Sequence, residues 1–300
     1  MTRKKPSIAR KRSPASSPLP RRARGFLRAL VVSAVAAFSI ASCALNPQLR
    51  DAAFLDSVLA PFGLAGPTPQ GTVPAAFSGA QVQTQFAACP EFFPARHAPV
   101  VPAGHALREL CFSAFAILHS GQTKTPVFVA QRLNRRVLAQ AGDISRSDRF
   151  FADARLPRAE RAELADYRGS GYSRGHMAPA GDMHTADAMA QSFSLANMVP
   201  QNQRHNAGAW SRIEQDTRKY VMRAQGDVYV FTGPVYADQP EKIGEGGVAV
   251  PSHLYKVVYD ATTGRSWVHW QANNPDTQAG TPITYDEFVR RTGLRLLPQD

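Results

Sequence analysis

Two runs in which apolar and polar residues alternate, residues 255–260 and 266–271, stand on either side of a Thr263-Gly264 turn. Alternation at a period of two gives a strand one core face, and a short glycine-containing turn between two such runs closes an antiparallel hairpin. Residues 126–133 and 227–232 share the β-branched and aromatic character of strands, and Gly233-Pro234 is expected to end the second. Helical periodicity is confined to residues 187–194, residues 207–223 with Trp210, Ile213 and Val221 on one side, and residues 285–291. Strands that dominate, with helices between them, predict an α+β domain. A chain of 300 residues can bury a sizeable core without metal or disulfide staples.

The formal charge of +12 invites a nucleic-acid reading until it is located. Ten basic residues lie within residues 1–42, which hold no Asp or Glu, so the remainder carries only +2. That basic start, the apolar residues 29–41 and the small residues before Cys43 form the pattern of an export signal, and Cys43 resembles the lipid-attachment cysteine of bacterial lipoproteins. The expected location is the periplasmic face of a bacterial membrane or the cell surface, with the membrane as partner through a lipid or N-terminal anchor. An uncleaved anchor is the competing reading, although the apolar run is shorter than the roughly 20 residues that span a bilayer. Arg21-Arg22 hints at twin-arginine export with loose spacing. Residues 44–85, rich in Ala, Pro and Gly, read as a linker, and residues 86–300 as the functional domain. With Cys43 lipidated, Cys89 and Cys111 remain, and an oxidising compartment points to a disulfide between them, against two buried free thiols.

The residues that carry chemistry are concentrated in Gly171-Tyr-Ser-Arg-Gly-His-Met-Ala-Pro-Ala-Gly-Asp-Met183, followed by Asn197-Met-Val-Pro-Gln201, Asn206-Ala-Gly-Ala-Trp210 and Glu214. Phe231-Thr-Gly-Pro-Val-Tyr236 and Pro251-Ser-His-Leu-Tyr-Lys256 complete the set. In this order and spacing they resemble the DNA/RNA non-specific endonucleases, the ββα-metal group, over about residues 86–298. The resemblance implies a ββα-metal fold with a central antiparallel sheet flanked by helices. It also implies hydrolysis of DNA and RNA, with products that end in 5′-phosphate and 3′-hydroxyl.

A phosphodiester resists attack because its charge repels nucleophiles and its alkoxide leaves poorly. A base for water, a cation on the phosphate and a group that steadies the departing oxygen are therefore needed. The resemblance assigns the base to His176, on a turn that Gly175 makes pliable, and imidazole titrates near physiological pH. It places the protein ligand of Mg²⁺, or of Mn²⁺ or another divalent cation, at Asn206. Glu214 follows at about 80° round a regular helix, within reach of the ion's water shell. Arg146 stands in an Arg-x-x-x-Phe-x-x-Asp pattern similar to the family's and is the choice for the transition-state phosphate, with Arg149 close by. Arg174 contacts phosphate or holds the His176 segment, and Asn197 and Gln201 support the metal region.

Ser173 stands where the family usually has Asp. If that Asp mainly organises the segment, Ser can still hydrogen-bond; if it charges the site, the rate falls. Ser173 therefore also supports a binding or DNA-uptake module that has lost turnover. A zinc hydrolase is the weaker alternative, since the histidines lack compact ligand spacing. His97, His105, His119, His184 and His269 are expected to be surface or core residues. His205, His253 and Trp210 are expected to be structural, and Asn206 taken alone would read as a helix N-cap. No protein partner is implied.

Overall fold

The computed structural model describes residues 79–298; the export signal, Cys43 and most of the expected linker lie outside them. In chain order the first strands are β1 (Gln81–Gln83), β2 (Val100–Pro102), β3 (Leu107–Cys111), β4 (Ala116–Ser120), β5 (Thr125–Leu133) and β6 (Tyr172–His176). They are followed by β7 (Met198–Asn202), β8 (Val228–Val235), β9 (Lys242–Ile243), β10 (Val248–Ala249), β11 (His253–Asp260) and β12 (Arg265–Ala272). Six of them form an antiparallel sheet in the order β12-β11-β8-β5-β4-β3. β1, which falls within the expected linker, pairs with β2 of the expected domain, and β6 pairs with β7 apart from the main sheet.

Both faces of the central sheet are covered, as the strands show residue by residue. Ala116 and Leu118 of β4, Phe128 of β5 and Tyr255 of β11 pack with Phe86, Phe93 and Phe288 on one side. Ile117, Val129 and Leu254, one step along those strands, pack with Met177, Phe193, Trp210 and Ile213 on the other. The period of two divides each strand between two cores. Fully burying one such side chain stabilises by about 1.5–3 kcal/mol.

The helices are α1 (Arg135–Ala141), α2 (Leu164–Tyr167), α3 (Ala186–Ser192), α4 (Gln203–His205), α5 (Ser211–Val221) and α6 (Tyr285–Thr292). In α6 the Thr284 hydroxyl accepts the Glu287 N–H, and Gly293 at φ +69° ends the helix in a conformation that favours glycine. Between α4 and α5, Asn206–Trp210 forms a π-turn, so one continuous helical path runs from Gln203 to Val221.

Three local expectations are corrected. β8 runs on through Gly233-Pro234 to Val235, because its pairing with β5 stops at Thr232 and leaves an open edge where a residue without an N–H is tolerated. His176 ends a strand and does not sit on a turn. Gly175 is required there by close packing: a Cβ at this position would lie 2.1 Å from Gln201 Oε1 and 2.6 Å from Gln201 Cβ. The long helix begins at Gln203, not Ala207, because Asn202 accepts the N–H groups of Arg204 and His205 at 3.0 and 3.2 Å.

Candidate active site

β6 and β7 lie antiparallel, with Ser173 opposite Gln201 and His176 opposite Met198, and α4 starts directly after β7. Two strands and a helix therefore deliver the candidate residues. Alternation along β6 puts Tyr172, Arg174 and His176 on one face. Ser173, Arg174 and Asn206 line one cavity of about 630 Å³ together with Phe150. Since Asn202 supplies the cap, Asn206 sits inside the helix and its carboxamide is not engaged in capping. The π-turn that starts at Asn206 adds residues to its turn, so Glu214 is rotated back toward Asn206 from the ~80° offset of a regular α-helix.

His176 is wedged between aromatic rings. Its centroid lies 4.9 Å from Phe193, edge to face, and 5.9 Å from Phe150. The Arg174 guanidinium stacks on Phe150 at 4.0 Å and that of Arg146 lies over Phe193 at 5.1 Å. Two rings thus hold two arginines beside one imidazole. Burial, then the positive charge of Arg146 and Arg174, outweigh Asp148 and push the His176 pKa down to about 3. The expected titration near physiological pH is therefore corrected: the ring is neutral across the physiological range. Its Nε2 is enclosed without a partner, which leaves Nδ1 as the nitrogen open to accept a proton.

Glu214 is pushed the other way, up to about 7, mainly by burial, with Asp182 adding to the rise and Lys256 and Arg218 opposing it. The indole N–H of Trp210 lies near this carboxyl without closing a hydrogen bond to it. Lys256 is buried, donates to Thr232 Oγ1 at 2.7 Å and lies 5.4 Å from the Trp210 ring centre. Arg218 pairs with the buried Asp182 at 2.9 Å. Asp182 and Lys256 stand inside the motif segments read from the sequence but were given no role there, and Arg218 lay outside them. Arg218 was visible in principle, four residues past Glu214 on the same helix face, whereas Lys256 is brought there only by β11.

The supporting residues divide differently from expectation. Asn197 is fully buried; its Oδ1 accepts the Ala178 N–H at 2.8 Å and its Nδ2 donates to the carbonyls of Ala178 and Ser192, both at 2.9 Å. It therefore braces the segment just after His176 rather than the surroundings of Asn206. Gln201 Nε2 meets His205 Nδ1 at 3.2 Å, and His205 is buried against Trp210. Arg146 is exposed and also pairs with Asp148 at 3.0 Å. Cys89 and Cys111 are joined by a disulfide with their Cα atoms 5.9 Å apart.

Acid should loosen this domain. His205 and His269 are held near 4 and His176 near 3, with burial the main cause in each. A histidine whose folded pKa lies below its unfolded value of about 6.5 is protonated first in the unfolded chain, so its contribution to stability is lost as pH falls from about 6.5. Glu214 works in the opposite sense between about 7 and its unfolded value near 4.5, but it is one group against five histidines, since burial also lowers His119 and His253. Thermal melts should therefore show a lower midpoint at pH 5 than at pH 7, and a flat or rising midpoint would contradict these environments.

A family model described as DNA/RNA non-specific endonuclease matches residues 95–297. The chain is 40% identical over 154 residues to the mitochondrial nuclease EXOG of Xenopus laevis, which covers 48% of this chain and 42% of that protein. It is 33% identical over 207 residues to mitochondrial endonuclease G of Bos taurus, covering 62% and 68%. The match thus spans less than half the length of the first relative and about two thirds of the second. A crystal structure of an EndoG/EndoGI complex, which addresses the mechanism of EndoG inhibition, aligns with a TM-score of 0.59 at 26% identity, over 71% of this chain and 91% of that one.

Proposed function

Because the chain belongs to the DNA/RNA non-specific endonuclease family, we propose that it is an exported, Mg²⁺-dependent endonuclease that hydrolyses DNA and RNA phosphodiesters with little regard to sequence. The observation that carries this reading is a neutral His176 beside Arg146 and Arg174, on a strand whose residues line one cavity with Asn206.

The donor set suits a hard cation. Among the described residues no three His, Cys, Asp or Glu side chains are grouped to hold a metal, as zinc prefers. A single amide oxygen at Asn206, in a cavity with room for water, matches the few protein ligands that Mg²⁺ takes; Mn²⁺ or another divalent cation would fit the same donors. When bound, the cation supplies positive charge to the phosphate and the departing 3′ oxygen. Asn206 would hold it, and Glu214 would orient its water shell. His176 Nδ1 takes the proton of the attacking water. Arg146 and Arg174 donate to phosphate oxygens, and Asn197 keeps the His176 segment in place. Attack on phosphorus with loss of the 3′ oxygen leaves 5′-phosphate and 3′-hydroxyl ends. Backbone recognition accounts for tolerance of both DNA and RNA.

Export is supported by the pattern of residues 1–43 and by the Cys89–Cys111 disulfide, and Cys43 is the proposed lipid-attachment site. Among the described residues no helix is long and apolar enough to cross a membrane. Incubation with supercoiled plasmid and Mg²⁺ should give nicked and then linear DNA, EDTA should stop the reaction and excess Mg²⁺ restore it. Cleavage indifferent to EDTA would remove the cation from the mechanism. Binding without cleavage would favour the uptake module that Ser173 also supports.

A further inference from the structure

Asn206 stands one helical turn after Asn202, so whatever fixes the start of α4 also fixes where the Asn206 carboxamide is carried. Neither residue expected to support that region does so directly. Asn197 braces the segment after His176, and Gln201 meets His205. The junction of β7 and α4 is held instead by Asn273, which follows directly on β12 and lies outside every motif segment of the sequence. Its Oδ1 accepts the Asn202 N–H at 2.8 Å. Its Nδ2 donates to the Pro200 carbonyl at 3.0 Å and to the Pro251 carbonyl at 2.9 Å.

These three bonds engage the oxygen and both N–H groups that a carboxamide offers, a set no other side chain of this length can make. Pro200 has no N–H to exchange with Arg174 opposite, so its carbonyl faces the edge of β7 away from β6, where no strand pairs. On that edge the Asn273 side chain stands in for the missing neighbour. Its own position is set by the central sheet: the Asn273 N–H donates to the Ser252 carbonyl at 2.9 Å, and the Ser252 N–H donates to the Val235 carbonyl of β8 at 2.9 Å. Loss of the clamp would leave β7 paired with β6, and Asn202 would still cap Arg204 and His205. The junction would be freed without undoing either element.

We infer that Asn273 is a positioning residue for the catalytic cation: it locks the β7–α4 junction to the central sheet and thereby holds the Asn206 amide oxygen where the ion is bound. The inference rests on the nuclease reading and deepens it. A ligand supplied by a single carboxamide has no companion side chain to fix it, so its placement depends on the hydrogen bonds behind it.

The test measures Mn²⁺ binding to the full chain from the electron paramagnetic resonance signal of the free ion. Asn273→Ala removes the clamp, and Asn273→Asp keeps its shape and one accepting oxygen but turns a second oxygen toward two carbonyls. Both variants should bind Mn²⁺ at least about tenfold more weakly, the cost of losing a group that orients a ligand. Far-UV circular dichroism should be unchanged, the Mg²⁺ needed for half-maximal plasmid nicking should rise by the same factor, and the KM for DNA should stay within about twofold. Cys89→Ser with Cys111→Ser, which loosens the other core, should bind Mn²⁺ as the unmodified protein does. A smaller loss in either folded variant, an equal loss in the cysteine pair, or failure of both variants to fold would show Asn273 to be a prop of the fold alone and overturns the inference, while nicking by the unmodified protein leaves the nuclease reading standing. An unmodified protein that neither binds Mn²⁺ nor nicks plasmid overturns both.

Discussion

Replacing His176 by alanine should lower the rate of plasmid cleavage by about 10²- to 10⁴-fold, the range a positioned general base contributes. The imidazole is ready for that task before substrate arrives. Burial and two neighbouring arginines keep it unprotonated, and the Phe150 and Phe193 rings fix its plane. In the proposed mechanism the same arginines would serve the phosphate, so the charge that suppresses protonation of the base would also attract the group it acts on. The activity loss should come without loss of fold, because the strand pairing of β6 with β7 and the bracing by Asn197 use backbone atoms that the substitution leaves in place. Initial rates on supercoiled DNA, with circular dichroism on both proteins, check the prediction. A residual rate within tenfold of the parent would mean that another group activates the water. The low pKa carries a second expectation: a fall in activity between pH 7 and 5 should come not from His176, which is neutral well below 6.5, but from Glu214, held up to about 7, and should therefore be lost in Glu214→Gln.

Reduction of the Cys89–Cys111 disulfide should destabilise the domain by about 3 kcal/mol, the entropy that closing a loop of this length removes from the unfolded chain. The bridge spans 22 residues and ties the turn that starts after Cys89 to the end of the edge strand β3. Phe86, Phe92 and Phe93 of that N-terminal segment cover one face of the sheet, so the link secures a layer of the core and not only a surface loop. For a domain of this size the loss corresponds to a fall of roughly 6–12 °C in melting temperature. Melts with and without a reductant, and of Cys89→Ser with Cys111→Ser, should agree. An unchanged midpoint would show that aromatic packing alone holds the segment. The site lies against the other core, so cleavage well below the melting point should persist after reduction.

The legible parts of the molecule were those whose signal is local. The hairpin of β11 and β12 was plain in alternation around Thr263-Gly264, and α3 and α6 in helical periodicity. β4 was not read as a strand: it is buried on both faces, so no polar residue marks a solvent side. β6 and β7 were hidden for another reason. Their sequences are dictated by chemistry and close packing, with Gly175 set by Gln201 and Pro200 inside a strand, so they carry little of the β-branched character by which strands are recognised. The π-turn left no trace that spacing could reveal.

Sequence by itself determined the family, the α+β class and the identity of the candidate groups, because order and spacing along one chain suffice to specify a motif. Tertiary structure alone decided their chemical state. The pKa of His176 depends on burial by the Phe150 and Phe193 rings and on the charge of Arg146, and that of Glu214 on Asp182 and on Lys256 from the central sheet. Those neighbours are distant along the chain, and electrostatic and desolvation effects follow distance through space.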